Sequence, residues 1–332
     1  MSLAVPLYGF GASGGSPNKS TIIVTAPTGS TVTCKMGSTT KTATEKNGVW
    51  KFGGLDLGTW TITSTKGGDS ATQDVVITRL TVEYVTIVYR ITPEFTYTGD
   101  YEIVDDSDNP ISDFASWKDN WKIRFLTSGT LTFTNLNGAE GGIDVFLVGG
   151  GGAGGNGVWA NGYVQPDQRG GGAGAGYTMT KTGVSVTINT PYSINIGAGA
   201  AAPWRDPKEN GSAGGDTSAF SFTAKGGGAP QGGSGGNGGS GGGNSGHEGA
   251  TNGGGGTNAG AGQGTTTREF GESTGKLYAT GGSGVSKKNG QANTGDGGSG
   301  GKYTETSNGT APSGGSGGSG IAIIRNHRGE AA

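Results

Sequence analysis

Three glycines in the stretch IDVFLVGGGGAGGNG, residues 143–157, have the spacing of a phosphate-binding motif. Gly149, Gly151 and Gly154 fit G-x-G-x-x-G directly after an apolar, strand-like run. A dinucleotide site of this kind needs a helix to begin at these glycines, because the N-terminus of that helix faces the pyrophosphate. The residues that follow, GNGVWANGYVQPDQRGGG, have no helical period. The sequence therefore disfavours a nucleotide site, and we expect no cofactor.

The other side chains that could do chemistry are few and scattered. His247 lies in the glycine-rich stretch NSGHEGA and His327 near the end of the chain, and neither accompanies a G-x-S-x-G nucleophile. With the single cysteine, Cys34, these histidines do not supply the ligands of a metal cluster. The carboxylates of DDSDNP (105–110) lack the glycine and terminal glutamate of a calcium loop, so we interpret this segment as a solvated turn. We expect no enzyme and no metal site.

Composition and charge narrow the class of protein further. The chain has 332 residues, of which 30% are hydrophobic and 14% charged, with a net charge of −2. No run of Lys or Arg marks a nucleic-acid surface, and no apolar run has the length of a membrane span. The N-terminal residues lack the basic region of a signal peptide. The expected protein is made in a cytoplasm, is not exported by the usual route, and binds neither nucleic acid nor the membrane interior.

The elements that must position any site begin with an arm and a strand-rich module. Residues 1–20 combine Gly, Ser and Pro with a few apolar residues. This composition is consistent either with a flexible tail or with a segment that docks on a partner or neighbouring subunit. Residues 21–90 hold about seven short Thr- and Val-rich stretches of period two, separated by turn residues, which is the pattern of a β-sandwich. Its expected core residues are Trp50, Phe52, Leu55, Trp60 and Ile62, with Cys34 half-buried on a strand.

This module resembles the carboxypeptidase-regulatory-like and PEGA-like modules of immunoglobulin type. The stretch NGVWKFGGLDLGTWTITST carries the resemblance. Such modules usually serve as spacers or stalks, so the resemblance implies a spacing role for residues 21–90.

Glycine dominates the rest of the chain. Of the 75 glycines, 15 lie in residues 1–140 and the other 60 in residues 141–332. Residues 91–140 read as β-rich connecting strands, residues 141–326 as a glycine-rich domain, and residues 327–332 as a tail. Ordering a glycine is unfavourable by about 0.5–1 kcal/mol relative to alanine, and close backbone approach with dense main-chain hydrogen bonding can offset that cost. We therefore expect an all-β protein in which IDVFLV and IAIIR pair around packed polyglycine II-type helices.

Residues 120–326 resemble the glycine-rich domain of bacteriophage tail and fibre proteins and of related bacterial proteins. The resemblance depends on the order of GGIDVFLVGGGGAGG, GGGAGAGYT, INIGAG, the repeated GGSGG runs and the closing GGSGGSGIAIIR. It implies a stiff scaffold that displays loops, as in phage adhesins whose loops contact the bacterial surface. It also implies a virion location, an N-terminal region that binds other virion proteins, and a homo-oligomer, for which we expect a trimer.

Four inserts between the glycine runs have the composition of binding loops: residues 158–169, 203–210, 265–280 and 302–312. The predicted receptor-binding residues are Trp159, Tyr163, Trp204, Arg205, Arg268, Phe270, Tyr278 and Tyr303. The alternative is that these side chains cap the glycine core or pack between subunits.

The expected function is attachment of a phage to a saccharide or protein on the host surface, as part of a tail fibre or tail tip. A second reading is a capsid or tail decoration protein that binds only other virion subunits. A third is a bacterial surface or matrix protein, which the missing export signal disfavours.

Overall fold

A computed structural model describes residues 19–26, 29–66, 69–87, 93–110, 120–136, 139, 141–156, 169–203, 210–301 and 313–327. The protein is essentially all-β, as predicted, and its one helical element in these ranges is a single 3-10 turn, Glu269–Gly271. The chain divides into two compact units. Unit 1 comprises Met1–Ile91 with Asp113–Lys118, and unit 2 comprises Thr92–Ser112 with Asp119–Ala332.

Seven strands form two sheets in the described part of unit 1. Six of them coincide with stretches predicted to be strands, whereas Thr39–Lys41 shares only Lys41 with the predicted stretch 41–48. The strand order is β4-β1-β7 in one sheet and β3-β2-β5-β6 in the other. The strands are β1 (Ser20–Thr25), β2 (Thr31–Met36), β3 (Thr39–Lys41), β4 (Val49–Leu55), β5 (Gly58–Lys66), β6 (Asp69–Ile77) and β7 (Val82–Thr86).

Both sheets of unit 1 contribute to one apolar core, which gives the unit its sandwich-like arrangement. The five core residues predicted from sequence, Trp50, Phe52, Leu55, Trp60 and Ile62, are all buried there. Alternation of buried and exposed positions along β4 and β5 explains this, because every second side chain of a strand faces the same side.

Cys34 lies in the same core and is completely buried, not half-buried as predicted. Burial raises the pKa of its thiol to about 11, an effect that nearby Lys41 reduces only in part. Because the thiolate is the reactive form, we expect Cys34 to resist a thiol reagent at pH 8 in the folded protein and to react fully in denaturant. With a disulfide reagent that releases a coloured thiolate, the absorbance of that thiolate gives the extent of Cys34 labelling. Rapid labelling without denaturant would contradict the buried position of Cys34.

Ten strands form two five-stranded sheets in the described part of unit 2. The first sheet has the order β13-β12-β17-β10-β9 and the second the order β16-β15-β14-β11-β8. The strands are β8 (Glu94–Tyr97), β9 (Tyr101–Val104), β10 (Lys122–Phe125), β11 (Gly129–Asn135), β12 (Ile143–Val148), β13 (Thr178–Val184), β14 (Pro191–Asn195), β15 (Thr217–Ala219), β16 (Phe222–Ala224) and β17 (Ile321–Asn326).

The predicted partnership of the two apolar stretches that bracket the glycine region is confirmed. Strand β12 pairs antiparallel with β17 along its whole length, from Ile143 opposite Asn326 to Val148 opposite Ile321. Every residue of β12 is buried, so both faces of this strand are covered. Strands β11 and β12, close in sequence, do not pair, because β11 joins β8 and β14 in the second sheet.

Glycine segments continue from these strands and bond to one another through their main chains. The segment 170–177, here called the central segment, donates to three neighbouring segments among the described residues and accepts from three others. Every third amide donates to the same neighbour: Gly170, Ala173 and Gly176 donate to 295–301, Gly171, Gly174 and Tyr177 to 225–232, and Gly172 and Ala175 to 240–243.

The segment 149–156, which contains the G-x-G-x-x-G motif, follows the same rule. Its amides donate with a period of three to residues 171–177, 212–215 and 315–318, at distances of 2.8–3.0 Å. The amides of Gly149, Gly151 and Gly154, which the motif would offer to a pyrophosphate, are therefore used by backbone carbonyls. No helix begins in the described residues 149–156.

The close packing of these segments explains why they are built from glycine. A Cβ atom added to Gly176 would lie 1.8 Å from the carbonyl oxygen of Gly149, and one added to Gly174 would lie 2.0 Å from that of Asn237. The segments approach so closely that hydrogen-bonded backbone occupies the space where side chains would be. Glycine is thus required here for contact between backbones.

Candidate functional site

One face of the first sheet of unit 2 carries charged residues that lie side by side across three strands. Lys122 on β10 lies opposite Arg325 on β17, which in turn lies opposite Asp144 on β12. In an antiparallel sheet, directly opposed residues project from the same face. The next positions toward the glycine segments are Arg124, Ile323 and Phe146, so this face becomes apolar on β17 and β12 and stays charged on β10.

Lys122 and Arg124 belong to an ionic cluster, which we define as Asp108, Lys122, Arg124 and Glu269. Lys122, Arg124 and Glu269 are buried, and Asp108 is partly exposed. The Lys122 Nζ atom lies 2.5 Å from Asp108 Oδ1 and 2.8 Å from Glu269 Oε1. Arg124 pairs with Asp108, and its Nη2 atom is 3.6 Å from Glu269 Oε2. Burial works against ionisation of Asp108, but bonds from Arg124 and Lys122 outweigh it and hold the pKa of this carboxyl below its usual value.

Asp144 is the centre of a second set of charges on the same face. Its side chain is completely buried, with Oδ2 3.1 Å from Arg325 Nε and Oδ1 2.7 Å from His327 Nδ1. The Gly183 amide also donates to Oδ1, at 3.1 Å. Burial alone would raise the pKa of Asp144, but the bonds from His327, Gly183 and Arg325 outweigh it and lower that pKa.

The insert 265–280 covers this face, which corrects two of the predicted receptor-binding residues. Phe270 is 8% exposed and Tyr278 is 0% exposed, and both rings lie near Phe146, at centroid distances of 5.8 and 5.5 Å. The Arg325 guanidinium lies 4.0 Å from the Phe270 ring centroid. These aromatic side chains bury the sheet face and do not present themselves to a receptor.

Backbone geometry and hydrogen bonds hold the insert in place. Phe270 has a φ of 53°, a left-handed conformation that is uncommon for a bulky residue and aims its ring at the sheet. The Tyr278 hydroxyl donates to Glu269 at 3.3 Å. Burial, reinforced by the charge of Glu269, raises the pKa of Tyr278, so the hydroxyl stays protonated as a donor. Arg268 is half-buried, and its Nη1 atom donates to the Gly275 carbonyl at 2.9 Å.

A cleft of about 480 Å³ opens beside the ionic cluster, between the turn 105–110 and the insert. Its lining is charged and includes Asp106, Glu272 and Lys276 in addition to members of the cluster. The Arg325 Nη1 atom is 2.6 Å from Glu272 Oε1, so this cation, like Lys122 and Arg124, already has a carboxylate partner. These ion pairs therefore neutralise the buried cations and hold the insert 265–280 and the turn 105–110 against the sheet.

Within the described ranges, no three His, Cys, Asp or Glu side chains come together in a way that could hold a metal ion. No helix in the part of the chain that the structure describes is long and apolar enough to cross a membrane.

The other predicted receptor-binding residues fall in the inserts 158–169, 203–210 and 302–312. Trp159, Tyr163, Trp204, Arg205 and Tyr303 lie outside the described residues. The residues at the bases of these inserts are described, and they show where each insert leaves the glycine segments.

The bases of two of these inserts are bonded to each other. The Gly155 amide donates to Gly171 at 3.0 Å, the Gly170 amide to Gly301 at 3.0 Å, and the Gly301 amide to Gly155 at 2.9 Å. The Gly314 amide, just beyond the insert 302–312, donates to the Asn156 side chain, just before the insert 158–169, at 2.9 Å. The chain therefore leaves for residues 157–168 and for residues 302–312 from adjacent points.

The base of the remaining insert lies at the same end. The Asn210 side chain accepts a hydrogen bond from Gly232, whose carbonyl accepts from Gly171. Strands β12, β13 and β17 join the opposite ends of their glycine segments, at residues 148, 178 and 321. All three inserts are thus anchored at the end of the glycine segments that lies away from the sheet.

Sequence reasoning missed the ionic cluster and the second set of charges around Asp144, although the sequence carries a signal for four of these residues. Lys122, Arg124, Asp144 and Arg325 are charged residues inside the short apolar strands KIRF, IDVFLV and IAIIRN. Charges at buried positions need partners, so their co-occurrence in neighbouring strands indicates a cluster. The partner Glu269 is remote in sequence and carries no such signal.

These features define a class of all-β protein with a glycine-built scaffold, framed at one end by a sheet. The chain belongs to the glycine-rich domain family, whose model matches residues 126–331. No curated protein matches the chain.

Proposed function

We propose that this protein is a bacteriophage virion component, part of a tail fibre or tail tip, that attaches the particle to the host cell surface. The observation that carries the proposal is the shared anchoring of three inserts at one end of the glycine segments, supported by the hydrogen bonds among Gly155, Gly170 and Gly301. Loops that leave from adjacent points on a rigid scaffold form one combined surface, which is how binding loops are commonly displayed.

The stiffness of the scaffold follows from its main-chain bonding. The period-three donation of the central segment is what packed helices of the polyglycine II type would give, since that helix has three residues per turn and no internal bonds. At about 3.1 Å per residue, the eight residues 149–156 would place the inserts roughly 25 Å from the sheet. A scaffold of this kind holds loops at a fixed distance from the particle.

The remaining assignments complete the proposed architecture. Unit 1 is an immunoglobulin-type module that serves as a spacer, and the N-terminal region contacts other virion proteins. The inserts carry Trp159, Tyr163, Trp204, Arg205 and Tyr303, whose aromatic faces and polar groups suit a surface saccharide or a protein receptor. The protein works as a homo-oligomer, which we propose to be a trimer, in the virion.

Replacing the inserts tests this function directly. In one variant, residues 158–168 and 302–312 are exchanged for Gly-Ser segments of equal length. In the control, the turn 186–189 between β13 and β14, at the far end of the sheet, is exchanged in the same way. We expect the intact protein and the control to bind cells of the host bacterium and to compete with phage adsorption, and the insert variant to lose at least about tenfold in affinity.

The same experiment separates attachment from the second candidate, a decoration protein that binds only virion subunits. The sandwich-like sheets of unit 1 favour that candidate equally, because a spacer suits either role. An intact protein that neither binds cells nor competes with adsorption would reject attachment. Immunogold labelling of virions would then place the protein on the capsid or the tail.

A further inference from the structure

Strand β7 has an open edge. It is the last strand of the sheet β4-β1-β7, and in the part of unit 1 that the structure describes nothing pairs with its outer side. The Thr81 carbonyl and the Ile87 amide both bond to β1. Because main-chain groups alternate in direction along a strand, those of Val82, Tyr84 and Thr86 point away from β1, toward the open edge.

The side chains at this edge are unusually apolar for an exposed position. Tyr84 is 70% exposed, Val82 50% and Leu80, in the turn before the strand, 54%. Proteins generally protect open edges with charges or cover them, because an open apolar edge pairs readily with other strands. Among the described residues no strand covers this apolar edge.

We propose that residues 3–7 of the chain's own N-terminal segment supply that strand by pairing antiparallel with β7. In the sequence LAVPL, Leu3, Val5 and Leu7 alternate with Ala4 and Pro6, the period of a strand. Proline has no amide hydrogen and is accepted at an edge only where its nitrogen faces solvent. The main-chain groups of Leu3, Val5 and Leu7 must then face β7.

The proline fixes the register of the added strand. Residues that exchange hydrogen bonds in an antiparallel pair lie directly opposite each other, and their side chains share a face. The pairing is Leu3 with Thr86, Val5 with Tyr84, and Leu7 with Val82. It places the apolar side chains of the segment on the exposed face, beside the apolar side chains of β7.

The connection is long enough for the segment to reach its own β7. Strand β1 begins beside β7, with Thr21 opposite Val82, so the segment must cross two strand spacings, about 10 Å. The twelve residues from 8 to 19 can span up to about 40 Å. A tethered segment has a high effective concentration at its site, which favours the chain's own edge over that of another copy.

Hydrogen exchange at β7 tests the proposal with a matched pair of proline variants. Val5→Pro removes an amide that would donate to β7, whereas Ala4→Pro removes one that would face solvent. We expect peptides that cover residues 82–87 to exchange at least about tenfold faster in Val5→Pro than in the native chain, and Ala4→Pro to behave as the native chain does. Reactivity of Cys34, in the core of unit 1, checks that each variant is folded.

Two outcomes would overturn the inference. Equal exchange in the native chain, in Val5→Pro and in a chain that lacks residues 2–10 would show that the segment leaves the edge open. Protection that disappears on dilution, together with a dimeric mass, would show that another copy supplies the strand. The expected result also has a consequence for assembly, since the proposed contact with other virion proteins then falls on other surfaces of unit 1.

Discussion

Replacing Gly176 with alanine is expected to destabilise unit 2 by at least about 3 kcal/mol. The added Cβ atom would lie 1.8 Å from the carbonyl oxygen and 2.4 Å from the carbonyl carbon of Gly149. Both atoms are backbone, so no side-chain rotation can relieve the overlap. The central segment and its hydrogen-bonded neighbours would have to separate, which would also weaken the bond from the Gly176 amide to Gly295, now 2.8 Å long.

The free energy of unfolding is measured in urea. Unfolding is monitored by hydrogen exchange of peptides from β12 and β17, because these strands belong to unit 2. Gly141→Ala is the matched control, because a Cβ atom at Gly141 meets nothing within 4 Å and the position is exposed. We expect Gly141→Ala to change the free energy of unfolding by less than about 0.5 kcal/mol. Similar losses in the two variants would contradict the close packing described for the central segment.

Replacing Asp144 with alanine is expected to destabilise the same unit by about 3–5 kcal/mol. Asp144 is completely buried and holds Arg325, His327 and the Gly183 amide together. Its removal leaves the buried Arg325 with Glu272 as its carboxylate partner among the described residues, and it leaves the Gly183 amide without its acceptor. The loss of one partner from a buried charged group is far more costly than the loss of an exposed pair.

The stabilisation by Asp144 also depends on pH, and its sign follows from the lowered pKa. A carboxyl whose pKa is lower in the folded than in the unfolded state stabilises the fold fully above the unfolded value, about 3.9. That contribution is lost as the pH falls through the lowered folded value. Asp108 acts in the same direction. We therefore expect the urea midpoint of unit 2 to fall below about pH 4, and to fall less steeply in Asp144→Asn than in the native protein.

The control for this prediction is an exposed ion pair of the same unit. Lys225 lies 2.6 Å from Asp216, with side chains 71% and 42% exposed, and Lys225→Ala is expected to reduce stability by less than about 1 kcal/mol. If Lys225→Ala and Asp144→Ala lowered the free energy of unfolding by similar amounts, burial would not explain the effect of Asp144→Ala. An unchanged acid dependence in Asp144→Asn would assign that dependence to other carboxyls.

The fold could be predicted from the sequence to the level of strands, and the site could not. The alternation of residues 21–90 predicted six of the seven strands and the buried positions Trp50 and Trp60, but it placed a strand at 41–48 where the structure has β3 at Thr39–Lys41. The pairing of β12 with β17 was also predicted, although 172 residues separate their facing ends at Val148 and Ile321. The insert 265–280 was misread, because its loop-like composition says nothing about the surface on which it folds.

The sequence alone determined that the protein is β-rich, that IDVFLV and IAIIR bracket a glycine region, and that the glycines order by contact between backbones. These properties follow from local periodicity and from the absence of a side chain. Only the tertiary structure decided that Phe270 and Tyr278 are buried, that Glu269 meets Lys122 across 147 positions of sequence, and that three inserts share one end. Such contacts join residues distant in the chain, and local sequence patterns do not encode which distant segments become neighbours.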